Sequence, residues 1–148
     1  MTNRLETLAP GLVAKIRDAS LDKQRAAARA AAHLAVETSG LVDPSVEQAL
    51  AALRDGKWGD TPERRAIGLL TDRLDARYFE LQEHASEHPE VEGQYLKHFS
   101  QARASSAVGF ALDSDALNAA LESIYETHAA VGDLQSVVSV VERALQRS

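Results

Sequence analysis

An alanine-rich segment from Leu21 to Thr38 is the feature that most restricts the possible fold of this chain. Alanine has the highest helix propensity of the amino acids, because its side chain loses no rotamer freedom in a helix. Gly40 follows the segment at a position where a helix can end in the left-handed conformation that glycine tolerates. The segment therefore predicts one long helix, and its small side chains predict close packing of neighbouring helices.

Two further helix starts come later in the sequence. Asp43-Pro44 and Asp60-Thr61-Pro62 each place a capping side chain before a proline at the first helical position. Gly56 ends the first of these two helices. Apolar residues recur at helical spacing in the second, as Ile67, Leu70, Leu74, Tyr78 and Leu81.

The rest of the sequence also predicts helices, including a short one over Pro10 to Ala19 and a final valine-rich one. Asp113 or Ser114 can cap the helix before that final one. We expect an all-α fold: a compact bundle of six or seven helices, built from helical hairpins and without a sheet. One domain covers residues 1–148, with residues 1–9 loosely ordered. Helices 61–88 and 90–112 are predicted to form its centre.

Composition limits the classes of function. Cysteine is absent, which excludes a disulfide framework, a zinc knuckle and a thiol nucleophile, and is compatible with the cytoplasm. The formal charge of −6 disfavours nucleic acid, whose binding requires a surplus of Lys and Arg. No segment has the roughly 20 apolar residues that cross a bilayer. We expect no nucleic acid and no membrane as partner.

The sequence His84-Ala85-Ser86-Glu87-His88 matches the H-x-x-E-H pattern of inverted zinc peptidases. Two histidines four residues apart on a helix can share a metal ion. Pro89 places the motif at a helix end, and its polar neighbours are typical of a solvated surface. We therefore predict no metal and no cofactor.

Arg103 lies among small residues near an inward-facing apolar stripe. A buried guanidinium must be paired, since an isolated buried charge costs several kcal/mol. We predict a salt bridge at the edge of the core, with partners among Asp72, Asp75, Glu122 and Glu126. The alternative is that Arg103 binds an anionic ligand.

Four other side chains are candidate contacts of a ligand or partner. His128 follows an apolar stripe and is either a boundary histidine or a functional acid or base. Tyr125 lies beside it and is assigned mainly to the core. Trp58, the only tryptophan, either covers the core from a loop or anchors a partner. Val140 lies on an apolar face of the last helix that is wider than one core contact needs, which predicts self-association.

These observations leave two functions open. The first is a non-catalytic helical protein-interaction module: a small acidic regulator, an inhibitor or immunity-like protein, or a self-associating subunit. Its partner is another protein or a second copy of the chain. The alternative is a helical small-molecule-binding regulator, or an unfamiliar enzyme, with a site near Arg103 and His128. The first is favoured, because no catalytic motif is present.

Overall fold

The computed structural model describes residues 3–85 and 92–147, and within these ranges the chain forms eight α-helices and no strand. The predicted all-α bundle without a sheet is confirmed, with one short helix more than the six or seven expected. In chain order the helices are α1 (Arg4–Leu8), α2 (Pro10–Asp18), α3 (Leu21–Ser39), α4 (Pro44–Arg54), α5 (Pro62–Ala85), α6 (Glu92–Ala111), α7 (Ala116–Val131) and α8 (Leu134–Gln146).

The additional helix is α1, in a segment for which we expected loose order. Asn3 caps it, because its side-chain oxygen accepts a hydrogen bond from the backbone N–H of Leu5 at 2.8 Å. The side chain of Leu5 is 0 % exposed and belongs to the main core. The cap and the buried leucine help to hold a helix that is too short to show a periodic pattern in the sequence.

The alanine-rich helix α3 lies at the centre of the bundle. It packs against α6, α7 and α8, and most of its buried side chains are alanines. We had predicted that α5 and α6 form the centre, and this is correct for α6 only, since α5 packs mainly on α4 and α6. The buried alanines of α3 are Ala27, Ala28, Ala31, Ala32 and Ala35.

The helix ends follow the capping chemistry of the sequence. Ser20 and Gly40 bound α3, and Gly40 adopts a φ of 71° as its C-cap. The N-cap of α7 is Asp115, not the predicted Asp113 or Ser114. The carboxylate of Asp113 instead accepts hydrogen bonds from the backbone N–H of Asp115 and from the side chain of Asn118.

Helices α5 and α6 form a long antiparallel hairpin with two different halves. In the half next to the bundle, Ile67 packs against Gly109, and the hydroxyls of Thr71 and Ser105 lie 2.7 Å apart. The other half has its own cluster of aromatic rings. Within the described residues, no helix combines the length and the apolar composition needed to cross a bilayer.

Candidate functional site

Arg103 links three helices through its guanidinium. Its Nη2 donates hydrogen bonds to both carboxylate oxygens of Asp75 on α5, at 2.7 and 3.0 Å, and its Nη1 donates to Glu126 on α7 at 3.1 Å. The Arg103 side chain is 21 % exposed and that of Glu126 is 6 % exposed. Burial by itself lowers the pKa of Arg103, but Glu126 and Asp75 outweigh it and the pKa is raised. The predicted salt bridge is confirmed, with two of the four proposed partners.

Arg4 extends this network to α1. It donates a hydrogen bond to Glu122, reaches Glu126 at 3.5 Å, and lies 4.1 Å above the ring of Tyr125. Tyr125, a predicted contact residue, is thus half-buried and covered by Arg4. The network contains two guanidinium groups and three carboxylates, so its formal charge is negative. An anionic ligand would be repelled there, and the anion-binding interpretation of Arg103 gains no support.

His128 is half-buried on α7, and its Nδ1 is buried without a hydrogen-bond partner among the described residues. His98 on α6 has an Nδ1 in the same situation. Within residues 3–85 and 92–147, no hydrogen bond or ion pair joins the side chain of His128 to the carboxylate network of Arg103 and Arg4. The structure therefore does not join Arg103 and His128 into one polar site.

Trp58 lies at the surface and does not cover the core, the first of the two roles predicted for it. Its side chain is 40 % exposed, and the guanidinium of Arg25 lies 3.9 Å from the ring centroid. Arg25 in turn donates hydrogen bonds to the backbone oxygens of Asp113 at 2.5 Å and Ser114 at 2.6 Å, just after α6 ends. The indole therefore lies on the surface and stacks on Arg25. The guanidinium of Arg25 donates hydrogen bonds to backbone carbonyls that have no partner within the helix that ends there.

The structure describes only part of the His84–His88 motif. His84 is exposed on α5, whereas His88 lies outside the described residues. In the described part of the chain, no three His, Asp or Glu side chains come together in a way that could hold a metal ion.

A basic concavity of about 670 Å³ lies between α3 and the C-terminal end of α8. Lys23, Arg29 and His33 of α3 line it together with Arg147, and Ala26 contributes to its apolar wall. We call it the α3–α8 groove. None of these four side chains belongs to a sequence motif that indicates a ligand site. The available signal was that Arg29 interrupts the alanine run.

The half of the α5–α6 hairpin away from the bundle carries a second candidate surface. The ring of Tyr78 contacts those of Phe79, Tyr95 and Phe99, with centroid distances of 5.2, 5.9 and 5.3 Å. Among the described residues, the main core includes none of these rings. Phe79 is 59 % exposed and Leu96 on α6 is 52 % exposed. These five residues are the hairpin surface.

Val140 lies on α8 between the core and solvent. Val137 and Val141 of the same helix are fully buried, whereas Val140 is half-buried and does not pack on the main core. This position is compatible with the predicted self-association, which no contact within one chain can test.

We found no match to this chain among models of protein families, among curated proteins or among solved structures. Function must therefore be argued from the surfaces described above.

Proposed function

We propose that this protein is a non-catalytic protein-interaction module that binds a partner protein through the hairpin surface. The class remains that of a small acidic regulator, an inhibitor or immunity-like protein, or a subunit, acting in the cytoplasm. The single observation that carries the proposal is the exposed aromatic and aliphatic group around Phe79 and Leu96.

The composition of the hairpin surface supports a binding role. Four of the six Phe and Tyr residues of the chain are found there, in contact with one another and outside the main core. Aromatic residues dominate the energetics of protein interfaces, because they bury a large area at a small entropic cost. A stable monomer gains nothing from leaving a phenylalanine such as Phe79 mostly in water.

The charges beside the aromatic rings favour the same function. Arg77 forms an exposed ion pair with Glu80 on the same helix, and Arg73 is exposed one turn before it. Apolar anchors surrounded by charged side chains form the usual arrangement of a protein interface, with a desolvated centre and a polar rim. We expect the partner to bury Phe79 and Leu96 and to leave these charges at the edge.

The alternative, a small-molecule regulator or enzyme with a site near Arg103 and His128, has less support. All the contacts of the Arg103 guanidinium described above go to carboxylates of the same chain. A ligand at this position would have to displace Asp75 or Glu126. The cost of uncovering the nearly buried Glu126 makes such a displacement unfavourable.

Photocrosslinking tests the proposed interface in its native setting. A photoreactive phenylalanine analogue is placed at position 79, expressed in the organism from which the gene comes, and irradiated. We expect one discrete adduct containing a different protein, and we expect Phe79→Glu with Leu96→Glu to abolish recovery of that protein with the tagged chain.

The matched control places the same analogue at Val42, an even more exposed apolar residue that lies in the loop before α4 (86 % exposed). A partner that is captured equally at positions 42 and 79 would contradict a specific interface. An adduct of twice the chain mass would instead identify a second copy as the partner.

A further inference from the structure

The α3–α8 groove brings together positive charge on a chain whose formal charge is −6. Lys23, Arg29 and His33 reach it from successive turns of α3, and Arg147 reaches it from the opposite wall, after α8. Of the residues that the structure describes, Asp22 is the one acidic side chain that lines it. The groove is therefore a basic site on an otherwise acidic protein.

Within the described residues, the Lys and Arg side chains of this groove differ from most other cations of the protein, because they have no side-chain partner there. Eight of the sixteen Lys and Arg side chains form ion pairs within the described residues. Lys23, Arg29 and Arg147 take no side-chain hydrogen bond or ion pair in residues 3–85 and 92–147. Three converging cations repel one another, and an anion between them would remove that repulsion.

We propose that the α3–α8 groove binds a small organic polyanion, a molecule that carries two or more phosphate or carboxylate groups. Arg29 and Arg147 hold its charged groups from opposite walls, and Lys23 adds a third contact. The alanine side chains between them, Ala26 and Ala144, leave space for the body of the ligand. This site is separate from the hairpin surface and does not depend on the function proposed for it.

Size and long-range charge favour a small ligand over an acidic polypeptide. The volume of about 670 Å³ lies within the range of small-molecule sites. A long acidic segment would extend beyond the groove and meet the repulsion of the negative protein. A small ligand is screened from charges more than about 8 Å away at physiological ionic strength, so it responds mainly to the groove.

Isothermal titration calorimetry with pyrophosphate, citrate and a hexaglutamate peptide tests the proposal. We expect pyrophosphate or citrate to bind the wild type, and Arg29→Gln with Arg147→Gln to weaken that binding by at least about tenfold, the usual value of a charge-assisted contact. Asp22→Asn should tighten it, because the substitution removes the carboxylate side chain that lines the groove among the described residues. The stronger of the two probes shows whether phosphate or carboxylate is preferred.

The control variant is Arg73→Gln with Lys97→Gln, which removes two exposed cations of the α5–α6 hairpin and makes the same change in net charge. Circular dichroism confirms that all variants are folded. An equal loss of affinity in this control would overturn the proposal, since the binding would then follow net charge alone. Binding of hexaglutamate but not of pyrophosphate or citrate would also overturn it, as would no binding of any probe.

Discussion

Arg103 on α6 holds the nearly buried carboxylate of Glu126 on α7, with Nη1 3.1 Å from Oε2. The same guanidinium also binds Asp75 on α5, so one side chain connects three helices.

Replacing Arg103 by alanine should lower the free energy of unfolding by about 3 kcal/mol, because it leaves the buried Glu126 without its main partner. The loss falls at the low end for a buried pair, since Arg4 still reaches Glu126 at 3.5 Å. Urea denaturation provides the measurement. Arg77→Ala, which breaks the exposed pair with Glu80, is the control and should cost less than about 1 kcal/mol. Equal losses in the two variants would contradict the prediction.

Acid should destabilise the protein partly through His98. Burial lowers the pKa of His98 below its ordinary value of 6.5, and the nearby charges of Arg77 and Lys97 lower it further. The unfolded chain therefore binds this proton more readily than the folded one, and stability falls as the pH drops through about 6.5 towards the lower pKa of the folded state.

His98→Gln should remove this component of the pH dependence. We expect the difference in unfolding free energy between wild type and variant to shift in favour of the variant as the pH is lowered from 7.5. Denaturation curves at several pH values measure it. A difference that is constant over this range would show that His98 does not titrate differently in the two states.

Two glycines in the α5–α6 hairpin should respond oppositely to alanine. Gly68 is exposed and a Cβ there would meet nothing within 4 Å, so Gly68→Ala should stabilise by about 1 kcal/mol through helix propensity. A Cβ on Gly109 would lie 3.2 Å from Cγ2 of Ile67, a stiff buried side chain. Gly109→Ala should therefore destabilise by about 1 kcal/mol after the propensity gain. Thermal denaturation of both variants decides, and stabilisation of both would show that Ile67 moves easily.

Arg25→Ala should cost about 2 kcal/mol, because two backbone carbonyls after α6 lose a charged donor and Trp58 loses the group beneath it. Trp58 is the only tryptophan, so its fluorescence should shift to longer wavelength as the indole gains water. Arg54→Ala removes another arginine near the same loop and should leave the spectrum unchanged. An unchanged spectrum in Arg25→Ala would contradict the stacking.

We predict that the chain pairs with a second copy through α8. Val140 is half-buried and outside the main core, so a partner helix can cover it. Sedimentation velocity should show a dimer for the wild type and a folded monomer for Val140→Glu. A wild-type monomer that loses its structure on this substitution would place Val140 within the fold of a single chain.

The boundaries of most helices could be predicted from the sequence, since capping is a local chemistry. Asp43-Pro44 and Gly40 mark helix ends through contacts with their own neighbours. The position of α3 at the centre could not be predicted in this way. The alanine pattern shows which face of α3 is buried, but its contacts with α6, α7 and α8 depend on the tertiary arrangement of those helices.

The candidate sites could be predicted from the sequence less completely than the helix boundaries. The pairing of Arg103 followed from the cost of burying a charge, which applies in any fold. The hydrogen bonds of Arg4 to Glu122 and of Arg25 to Asp113 join residues more than 85 positions apart, so no local pattern reveals them. The α3–α8 groove depends on Arg147 lying opposite Arg29, and this too requires the tertiary structure.

The buried alanines of α3 limit the size of the side chain that can occupy each of their positions. This limit restricts which substitutions α3 can accept. Positions such as Ala31 and Ala32, which are 0 % exposed, have no room for an additional methyl group. Glycine at these positions costs helix propensity of about 1 kcal/mol, whereas valine or leucine would force three helices apart. Related sequences are therefore expected to carry alanine or glycine, and no larger side chain, at the buried positions of α3.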